Sequence, residues 1–483
     1  MKRPRSVPAR SAAGRPARSG GSGRAPGAGR PARGGGRQAV SPVGGRARPA
    51  PSALRCTGCG ARYPIREILY RCERCRELLE VTVDLESMRR ARSPMAWKEL
   101  FKSRLCDMSA PYASGVWRYH EWVLPDLPPE AVISKGEGNT PLYAGAGLRR
   151  ALDAPLLRLK HEGENPTLSF KDRGMTVGVS WARHLGAAAV ACASTGDTSA
   201  AMAAYAAEAE GLRGIVLLPR DKVTCEQLAQ PQASGCLTLS LDTDFDGCMR
   251  ILEEFCARNP VYVLNSLNPI RIEGQKTIGI EALQQLGWEP PDWFVIPVGN
   301  AGNISALGKG LLEALDLGLI SRLPRLAGVQ SHAANPLYLS YRRRWRERVT
   351  VQAGQTVASA IRIGHPVSYT KAAEVIRRLD GVVEEVDEQE IMDAKARADA
   401  SGVSICPNSG AAVAGYLKLR QKGVIGRRES VVLIATAHGA KFSQTSLDYH
   451  RGALEGVRPR HANPIQPLPA TLEAVEQAAG LRR

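Results

Sequence analysis

The stretch TLSFKDRG, residues 167–174, places a lysine between an aromatic ring and an aspartate at the start of a helical pattern. Lysine usually lies on a solvated face, where its ammonium stays hydrated. A lysine amine is a useful nucleophile only when burial or nearby charge displaces its proton. Lys171 is therefore either a candidate nucleophile or a surface lysine paired with Asp172. The surrounding sequence indicates which interpretation to prefer.

Around this stretch, short apolar runs alternate with helical patterns. The runs span residues 186–194, 213–219, 236–242, 293–299, 325–331 and 430–439. We expect them to form strands buried on both faces, because continuous apolar runs are typical of parallel sheets covered by helices. Residues 245–259 and 273–288 carry apolar residues at helical spacing. This order predicts an α/β fold with parallel-rich sheets.

Two of the loops that follow predicted strands are suited to anions. STGDTSAA at 194–201 and GNAGN at 299–303 each open a helix. Ligands of open α/β sheets bind beyond the carboxyl ends of the strands, and N–H groups at a helix start attract anions. Because glycine and serine are also ordinary turn and N-cap residues, each loop alone is a weak signal.

Two further loops carry single residues of interest. In NSLNPIRIEGQK, residues 265–276, Arg271 can clamp a phosphate or carboxylate, or else form a surface pair with Glu273 or Glu281. In ATAHG, residues 435–439, Thr436 and His438 follow a buried strand. A lone histidine in such a position is more often a hydrogen-bonded structural residue than a catalyst.

Two anion sites, a lysine and a late threonine together indicate a phosphorylated cofactor with a reactive carbonyl, which is pyridoxal 5′-phosphate. Lys171 then becomes explicable as the amine that forms a Schiff base with the cofactor. The chain thus carries the elements of a cofactor site on separate strand-end loops.

Four of the eleven cysteines form a C-x2-C-x12-C-x2-C pattern: Cys56, Cys59, Cys72 and Cys75. Two such turns can place four thiolates on one tetrahedral zinc ion, and this set leaves no open position for chemistry, so we expect a structural Zn2+ site. The alternative is free thiols in surface turns. An odd cysteine total argues for a reducing, cytoplasmic compartment.

The net charge of +18 is concentrated at one end of the chain. Lys2 and eleven arginines lie in residues 1–50 without any acidic residue, which leaves +6 for the rest. This Gly-, Pro- and Arg-rich stretch lacks apolar periodicity, so we expect it to be disordered. Transit peptides are also Arg-rich, but they are usually amphipathic and Ser-rich, and this stretch is neither. A solubilising tail is the favoured interpretation, and nonspecific anion binding is the alternative. No apolar run approaches the length of a membrane span.

In chain order, the motifs SFKDRGMTVGVS, CASTGDTSAAMAAYAA, NSLNPIRIEGQKT, PVGNAGNI and ATAHGAKF resemble those of the threonine synthases, a family within the pyridoxal-phosphate fold type II group. The segment WKELFKSRLCDMSAPYASGVWRYHEWVLPDL, with DTDFDGCM, is similar to the plant-type branch. The resemblance runs from about residue 54 to 450 and leaves out the basic tail.

The resemblance implies roles for individual residues. It implies that Lys171 links to the cofactor, that Thr436 faces the pyridine nitrogen, and that Asp197 lies near the phenolic oxygen, where many members carry asparagine. The implied phosphate cradle is Gly299, Asn300, Ala301, Gly302 and Asn303. The implied substrate contacts are Ser194, Thr195, Thr198, Asn265, Ser266, Arg271 and Asn303.

Composition, the cysteine pattern and the resemblance together predict a domain plan. The predicted units are a disordered basic tail at 1–53, a zinc-ribbon-like unit at 54–82, a large cofactor-binding domain at 83–165 and 265–455, a small domain at 166–264, and a C-terminal arm at 456–483. The resemblance further implies a homodimer, and more weakly S-adenosylmethionine as an effector, since no effector residue can be matched.

The implied reaction converts O-phospho-L-homoserine and water to L-threonine and phosphate. One alternative is another fold type II enzyme, such as a serine/threonine dehydratase or a cysteine synthase, which has no reason to keep a second phosphate site around Arg271. Others are a noncatalytic cofactor-binding protein and a zinc-ribbon nucleic-acid binder, for which binding would weaken steeply with salt and survive loss of Lys171.

Overall fold

The computed structural model describes residues 52–109, 111–194, 196–220 and 225–480. The predicted basic tail lies almost entirely outside the described residues, and so does the predicted substrate contact Thr195. The predicted α/β class is confirmed by two parallel-rich sheets, which a small antiparallel sheet precedes along the chain.

The strands alternate with helices from about residue 142 onward. The strands are β1 Ala53–Cys56, β2 Arg62–Pro64, β3 Leu79–Thr82, β4 Leu142–Tyr143, β5 Leu157–His161, β6 Ala189–Ala193, β7 Arg213–Pro219, β8 Leu237–Leu241, β9 Val261–Val263, β10 Trp293–Pro297, β11 Arg325–Ser331, β12 Val382–Val386 and β13 Val431–Ala435. The helices are α1 Leu85–Ala91, α2 Pro94–Ser103, α3 His120–Val123, α4 Ala146–Ala151, α5 Lys171–His184, α6 Asp197–Glu208, α7 Cys225–Ala233, α8 Phe245–Arg258, α9 Ile270–Gln275, α10 Thr277–Gln285, α11 Gly302–Asp316, α12 Pro336–Arg342, α13 Tyr369–Arg378, α14 Glu388–Asp399, α15 Pro407–Gln421, α16 Ser443–Arg451 and α17 Leu472–Ala479.

Three sheets organise these strands. The order β2-β1-β3 forms the antiparallel sheet of the four-cysteine unit. The order β12-β11-β10-β13-β5-β4 forms a six-stranded sheet that is parallel except for its short edge strand β4. The order β8-β7-β6-β9 forms a fully parallel four-stranded sheet. Parallel strands need helical crossovers, which explains the alternation along the chain.

Strand β10 shows how a sheet covered on both faces is read from sequence. All five of its residues are buried, and alternate side chains enter different apolar clusters, with Phe294 and Ile296 in one and Trp293 and Val295 in the other. The same arrangement holds for β6, where Val190 packs into the first of these clusters. Continuous apolar runs therefore predicted these strands correctly.

Strand β8 departs from that expectation. We predicted a strand buried on both faces at 236–242, but Leu237 and Leu239 are 45% and 39% exposed. The reason is its place in the sheet, because β8 is an edge strand whose neighbour in the sheet is β7 alone. Its apolar composition satisfies strand propensity without indicating which position in the sheet it occupies.

The helical pattern predicted at 273–288 is realised as two helices, α9 and α10. They meet at Lys276, which is fully buried and whose ammonium lies 2.7 Å from carboxylates of both Glu273 and Glu313. Helix α9 also packs directly on α5, since a Cβ at Gly274 would lie 1.7 Å from the carbonyl oxygen of Arg173. This close approach brings α9 against the helix that Lys171 begins.

A buried charge network lies behind the first turn of α5. The Arg173 guanidinium lies 2.6 Å from Glu162 and 3.0 Å from Glu281, and Lys160 lies 2.5 Å from Glu281. These cations hold the pKa of the Glu281 carboxyl well below its usual range despite burial. Breaking one of these buried pairs would leave an uncompensated charge, which is energetically costly. The network therefore holds the first turn of α5, and with it the backbone of Lys171, in place.

All the residues that the structure describes belong to one compact unit. The predicted small domain contains the whole four-stranded sheet, and the predicted large domain contains the whole six-stranded sheet. The domain boundaries themselves stay a prediction. Among the residues that the structure describes, no helix combines the length and the apolar character that crossing a bilayer requires.

Candidate active site

A cavity of about 640 Å³ lies where strands of both parallel sheets end. It is lined by the predicted site residues Lys171, Ser194, Asp197, Thr198, Ser266, Arg271, Gly299, Asn300, Ala301, Gly302, Asn303 and Thr436. Residues from distant parts of the chain therefore converge here, as expected for open α/β sheets.

Lys171 is the first residue of α5, and its side chain is partly buried. Its Nζ lies 4.0 Å from the centre of the Phe170 ring. Burial, together with the cations Arg271 and Lys441, lowers the pKa of Lys171 to about 7, while the Asp197 carboxylate opposes this shift. A substantial fraction of this amine is therefore neutral near pH 7, which is the state a nucleophile or proton acceptor needs.

The next residue, Asp172, does not pair with Lys171. Its Oδ2 accepts hydrogen bonds from the Thr167 hydroxyl at 2.8 Å and the Thr167 N–H at 3.2 Å. Burial raises the pKa of Asp172 to about 7, although these hydrogen bonds oppose the shift. The interpretation of Lys171 as a surface lysine paired with Asp172 is thus wrong.

The GNAGN loop forms a cradle of backbone N–H groups at the start of α11. Ala301 has a left-handed backbone conformation with φ of 64°. Within the described chain, no protein acceptor takes the N–H groups of Asn300, Ala301, Gly302 and Asn303. At Gly299 a Cβ would lie 2.9 Å from the Ala360 carbonyl oxygen. This geometry fits a phosphate group, which uses such N–H groups as donors.

Thr436 lies directly after β13 and lines the same cavity, as does Asn408. Its N–H donates to the Ser409 hydroxyl at 2.8 Å, and its carbonyl accepts from Phe170 N–H at 3.0 Å. The second bond ties the Thr436 backbone to the residue before Lys171. His438, in contrast, has a structural role, since its Nδ1 accepts from the Ala440 N–H at 3.0 Å.

Arg271 is buried, with 2% exposure, and lines the cavity. Its Nη1 donates to the Leu264 carbonyl at 2.9 Å, and among the described residues nothing accepts from its Nε. Glu273 and Glu281 pair with other cations, so the surface-pair interpretation of Arg271 is wrong. A buried guanidinium with an unsatisfied donor is suited to an anionic ligand. The hydroxyls of Ser194, Thr198 and Ser266 lie along the same cavity.

Asn265 is the described site residue that the structure does not bring to the cavity lining. Its side-chain amide bonds twice to Ala193, with Oδ1 accepting from the N–H at 3.1 Å and Nδ2 donating to the carbonyl at 2.8 Å. Asn265 therefore joins the ends of β6 and β9, and in this geometry its amide supports the loop that carries Ser194.

Lys441 is a cavity residue that sequence reasoning missed. Its Nζ lies 2.7 Å from the Asp197 carboxylate and 3.1 Å from the Thr167 carbonyl. The signal available was its position, five residues after Thr436 in a strand-end loop, together with the single acidic residue in STGDTSAA. Gln275, Asn268 and Asn408 were also missed; each lines the cavity.

The four cysteines of the N-terminal unit form a compact cluster. One ligand atom from each of Cys56, Cys59, Cys72 and Cys75 lies within 4.8 Å of all the others. The Cys56 sulfur also accepts N–H groups from Gly58 at 3.3 Å and Cys59 at 3.4 Å. Such a four-thiol set has the composition and compactness of a tetrahedral zinc site.

Comparison with known proteins places this site in a family. Residues 133–437 match the family of pyridoxal-phosphate dependent enzymes. Threonine synthase 2, chloroplastic, of Arabidopsis thaliana is 45% identical over 83% of this chain and 79% of its own length. Threonine synthase of Methanocaldococcus jannaschii is 42% identical over 80% of this chain and 92% of its own length. The chain belongs to the pyridoxal-phosphate-dependent enzymes. Within them, it is a member of the threonine synthase family.

Solved structures agree on the fold. The crystal structure of threonine synthase from Escherichia coli matches with a TM-score of 0.58 and 19% identity, over 89% of this chain and 99% of that one. Threonine deaminase isoform 2 from Solanum lycopersicum matches with a TM-score of 0.55 and 20% identity, over 64% and 87%. At these identities the likeness shows the fold alone, and the predicted fold type II class is confirmed.

Proposed function

We propose that this enzyme converts O-phospho-L-homoserine and water to L-threonine and phosphate. The observation that carries the proposal is one cavity that contains two anion-binding groups together with a lysine that can be neutral near pH 7. One group is the GNAGN cradle, and the other is buried Arg271 with its unsatisfied donor. A cofactor phosphate needs one of them, and a phosphorylated substrate accounts for the second.

The residues present fit pyridoxal 5′-phosphate. The free N–H groups of residues 300–303 would hold its phosphate, Lys171 would attach to it covalently, and Thr436 would face its ring nitrogen. When bound, pyridoxal phosphate supplies the electron sink that allows protons to leave carbon atoms of an amino-acid substrate. A neutral hydroxyl at Thr436 would leave the ring nitrogen of the bound cofactor largely unprotonated, because it offers no negative charge to stabilise a ring cation.

Lys171 is the proton carrier in this proposal. Its amine, with a pKa of about 7, can take a proton from the substrate Cα, and later from Cβ, and return it at the end of the reaction. Arg271 and the hydroxyls of Ser194, Thr198 and Ser266 bind the substrate phosphate and hold it as it leaves from Cγ. After phosphate has left, one proton is delivered to Cγ, which becomes the methyl group, water adds its hydroxyl at Cβ, and a second proton returns to Cα. The proton that water gives up goes to the released phosphate, so the products are L-threonine and phosphate.

The four-cysteine cluster is proposed to bind one structural zinc ion. The support is its four sulfur ligands within 4.8 Å and the two N–H donors on the Cys56 sulfur. Four thiolates leave no coordination position for substrate, so the metal would stabilise the N-terminal unit without taking part in the reaction.

The proposal further includes a cytoplasmic homodimer, with S-adenosylmethionine as an effector. Its support is the resemblance to the plant-type branch, together with an odd number of cysteines, which is typical of a reducing compartment. Sedimentation equilibrium with and without S-adenosylmethionine tests the assembly and its response to the effector.

A phosphate-release assay tests the reaction. We expect the wild-type protein to release phosphate from O-phospho-L-homoserine and to form L-threonine in equal amount, with a visible absorption band from the lysine-linked cofactor. Lys171→Ala should lose that band and nearly all turnover, because the covalent link and the proton carrier are lost together.

Lys422→Ala is a matched control, because this lysine follows the end of α15, pairs with Glu384 of β12 and does not line the cavity. Wild-type turnover in Lys171→Ala would contradict the proposal. Release of a 2-oxo acid from serine or threonine, without phosphate release from O-phospho-L-homoserine, would instead assign the chain to the dehydratase alternative.

A further inference from the structure

One ion pair in the cavity has no role in the reaction described so far. Among the described residues that line the cavity, the charged side chains are Lys171, Arg271, Lys441 and Asp197. Asp197 is the single carboxylate of this set. Its Oδ1 lies 2.7 Å from Lys441 Nζ, and each of the two side chains is only 12% exposed. The pair is therefore partly withdrawn from solvent, where charge interactions are stronger than at the surface.

The Lys441 ammonium joins three segments around the cavity. Asp197 begins α6 and so follows β6 of the four-stranded sheet. Lys441 lies on the turn after β13 of the six-stranded sheet. The same ammonium donates to the Thr167 carbonyl at 3.1 Å, four residues before Lys171. One side chain thus connects the ends of two sheets to the segment that presents the reactive amine.

Lys441 also offsets the one negative charge among the described residues that line the cavity. An unpaired carboxylate beside two phosphate groups would repel both of them, and in a partly buried site this repulsion is weakly screened. With Lys441 in contact, the Asp197 charge is offset locally, and Lys171 and Arg271 leave the cavity cationic. Removing one partner of such a pair leaves the other charge uncompensated.

We propose that Lys441 is a positioning residue of this enzyme: its ammonium holds the Asp197 carboxylate and the Thr167 carbonyl at the cavity wall and offsets the one negative charge beside Lys171. The effect on substrate affinity rests on the proposed function. The effect on Lys171 does not, because it requires only the bound cofactor of the family.

The charges that face these groups predict opposite effects for the two partners. Lys171 feels the cations Arg271 and Lys441 and the anion Asp197. Lys441 also faces Asp172, whose pKa it lowers slightly against the effect of burial. Loss of the Lys441 cation should therefore raise the proton affinity at Lys171, and loss of the Asp197 anion should lower it.

The test uses the full-length holoenzyme with Lys441→Met, Asp197→Asn, the double variant Lys441→Met/Asp197→Asn, and Lys441→Arg. The first measurement is a pH titration of the cofactor's visible absorption. We expect the midpoint to rise by about half to one pH unit in Lys441→Met and to fall by a similar amount in Asp197→Asn. The double variant should return close to wild type, because both charges are removed together.

The second measurement is the kinetics of phosphate release from O-phospho-L-homoserine. Lys441→Met should raise KM by about tenfold or more, with a smaller change in kcat, since the uncompensated carboxylate repels the anionic substrate. Lys441→Arg keeps the charge and should retain the wild-type midpoint and most of the affinity. Lys422→Met is the matched control, because its pair with Glu384 at 2.6 Å lies outside the cavity lining.

Midpoints that move in the same direction in both single variants would overturn the proposal, because they would indicate a merely structural role. A double variant no closer to wild type than the single ones would overturn it too. If Lys441→Met does not fold, the double variant and Lys441→Arg test the proposal. Both must then show the wild-type midpoint in the pH titration of the cofactor's absorption. Absence of phosphate release in the wild type would refute the proposed substrate but would leave the titration as a full test.

Discussion

At the scale of single residues, Lys171 and Asp172 show how burial acts on neighbours of opposite charge. Burial lowers the pKa of Lys171 to about 7 and raises the pKa of Asp172 to about 7. In both cases the desolvated charged form is disfavoured, so each group tends toward its neutral state. For Lys171 this produces a reactive amine. For Asp172 it means that ionisation of the carboxyl group at higher pH lowers the stability of the folded protein.

The raised pKa of Asp172 predicts that Asp172→Asn changes the free energy of unfolding by an amount that depends on pH. The folded pKa of about 7 lies above the ordinary value of 3.8, so between these values the folded protein binds more protons than the unfolded chain. Stability from this group is therefore present at low pH and is lost as the pH rises toward 7. The neutral amide avoids the loss, and relative to wild type the variant should gain up to about 4 kcal/mol between pH 4 and pH 8.

Urea unfolding of the two proteins at several pH values measures this difference. Asp380→Asn is the control, because its side chain is 84% exposed and its substitution should give a difference that hardly varies with pH. A constant stability difference between Asp172→Asn and wild type across the range would show that Asp172 stays ionised in the folded protein.

At the scale of elements, the turn between β10 and α11 carries the phosphate cradle. In Gly299→Ala the new Cβ would lie 2.9 Å from both the Ala360 carbonyl oxygen and the Ile361 Cα, so backbone on one side must move. Because the N–H groups of the cradle act only when aligned, we expect the Kd for pyridoxal phosphate to rise by about tenfold or more, on the order of 1.4 kcal/mol.

Equilibrium titration of the apoprotein with pyridoxal phosphate, followed by absorption, checks this expectation. Gly147→Ala is a matched substitution, because it lies inside helix α4 with its nearest neighbour 3.7 Å from the added Cβ. Unchanged cofactor affinity in Gly299→Ala would mean that the phosphate binds elsewhere.

Elements also show where sequence reasoning succeeds. The predicted strands at 213–219 and 325–331 coincide with β7 and β11, because a run of buried β-branched and apolar residues is a local property. The edge position of β8 and the break between α9 and α10 at Lys276 were not predicted. Both depend on which neighbours the element finds, and no local pattern records that.

At the scale of the whole molecule, the four-cysteine unit contacts helices α11 and α13 and strand β9 of the four-stranded sheet. Lys371 of α13 and Lys309 of α11 donate to the carbonyls of Leu79 and Val81 in β3, each at 2.6 Å. On the other side, the Val263 N–H at the end of β9 donates to the Tyr70 hydroxyl at 2.8 Å. The N-terminal unit thus helps to hold the end of β9 and the helices α11 and α13 in place.

These contacts predict the result of metal removal. The double substitution Cys59→Ser/Cys75→Ser should eliminate about one bound zinc ion per chain and lower Tm by several degrees, because the folded unit loses metal binding free energy and its contacts loosen. Elemental analysis and calorimetry measure both effects.

Cys106→Ser is the control, since this exposed cysteine lies outside the cluster and should leave both zinc content and Tm unchanged. Wild-type protein that contains no zinc after purification in zinc-supplemented medium, with a Tm that chelators do not change, would contradict the proposed metal site.

The sequence by itself determined the α/β class, the loops at the strand ends and the candidate residues on them, including Lys171, Arg271 and the GNAGN loop. These features depend on periodicity and residue type within short stretches of sequence, so they can be predicted without knowing which distant segments come into contact. Resemblance of those same motifs was enough to indicate the family.

Only the tertiary structure decided which of these residues share one cavity. It brought Lys441 to Asp197 across 244 positions of sequence and turned Asn265 toward the backbone of Ala193. It also left the Nε of Arg271 without an acceptor among the residues that the structure describes. Pairing between distant charges depends on how sheets and helices pack, and the energy of such a pair depends on the burial that packing creates. A linear sequence contains the partners but not their separation in space.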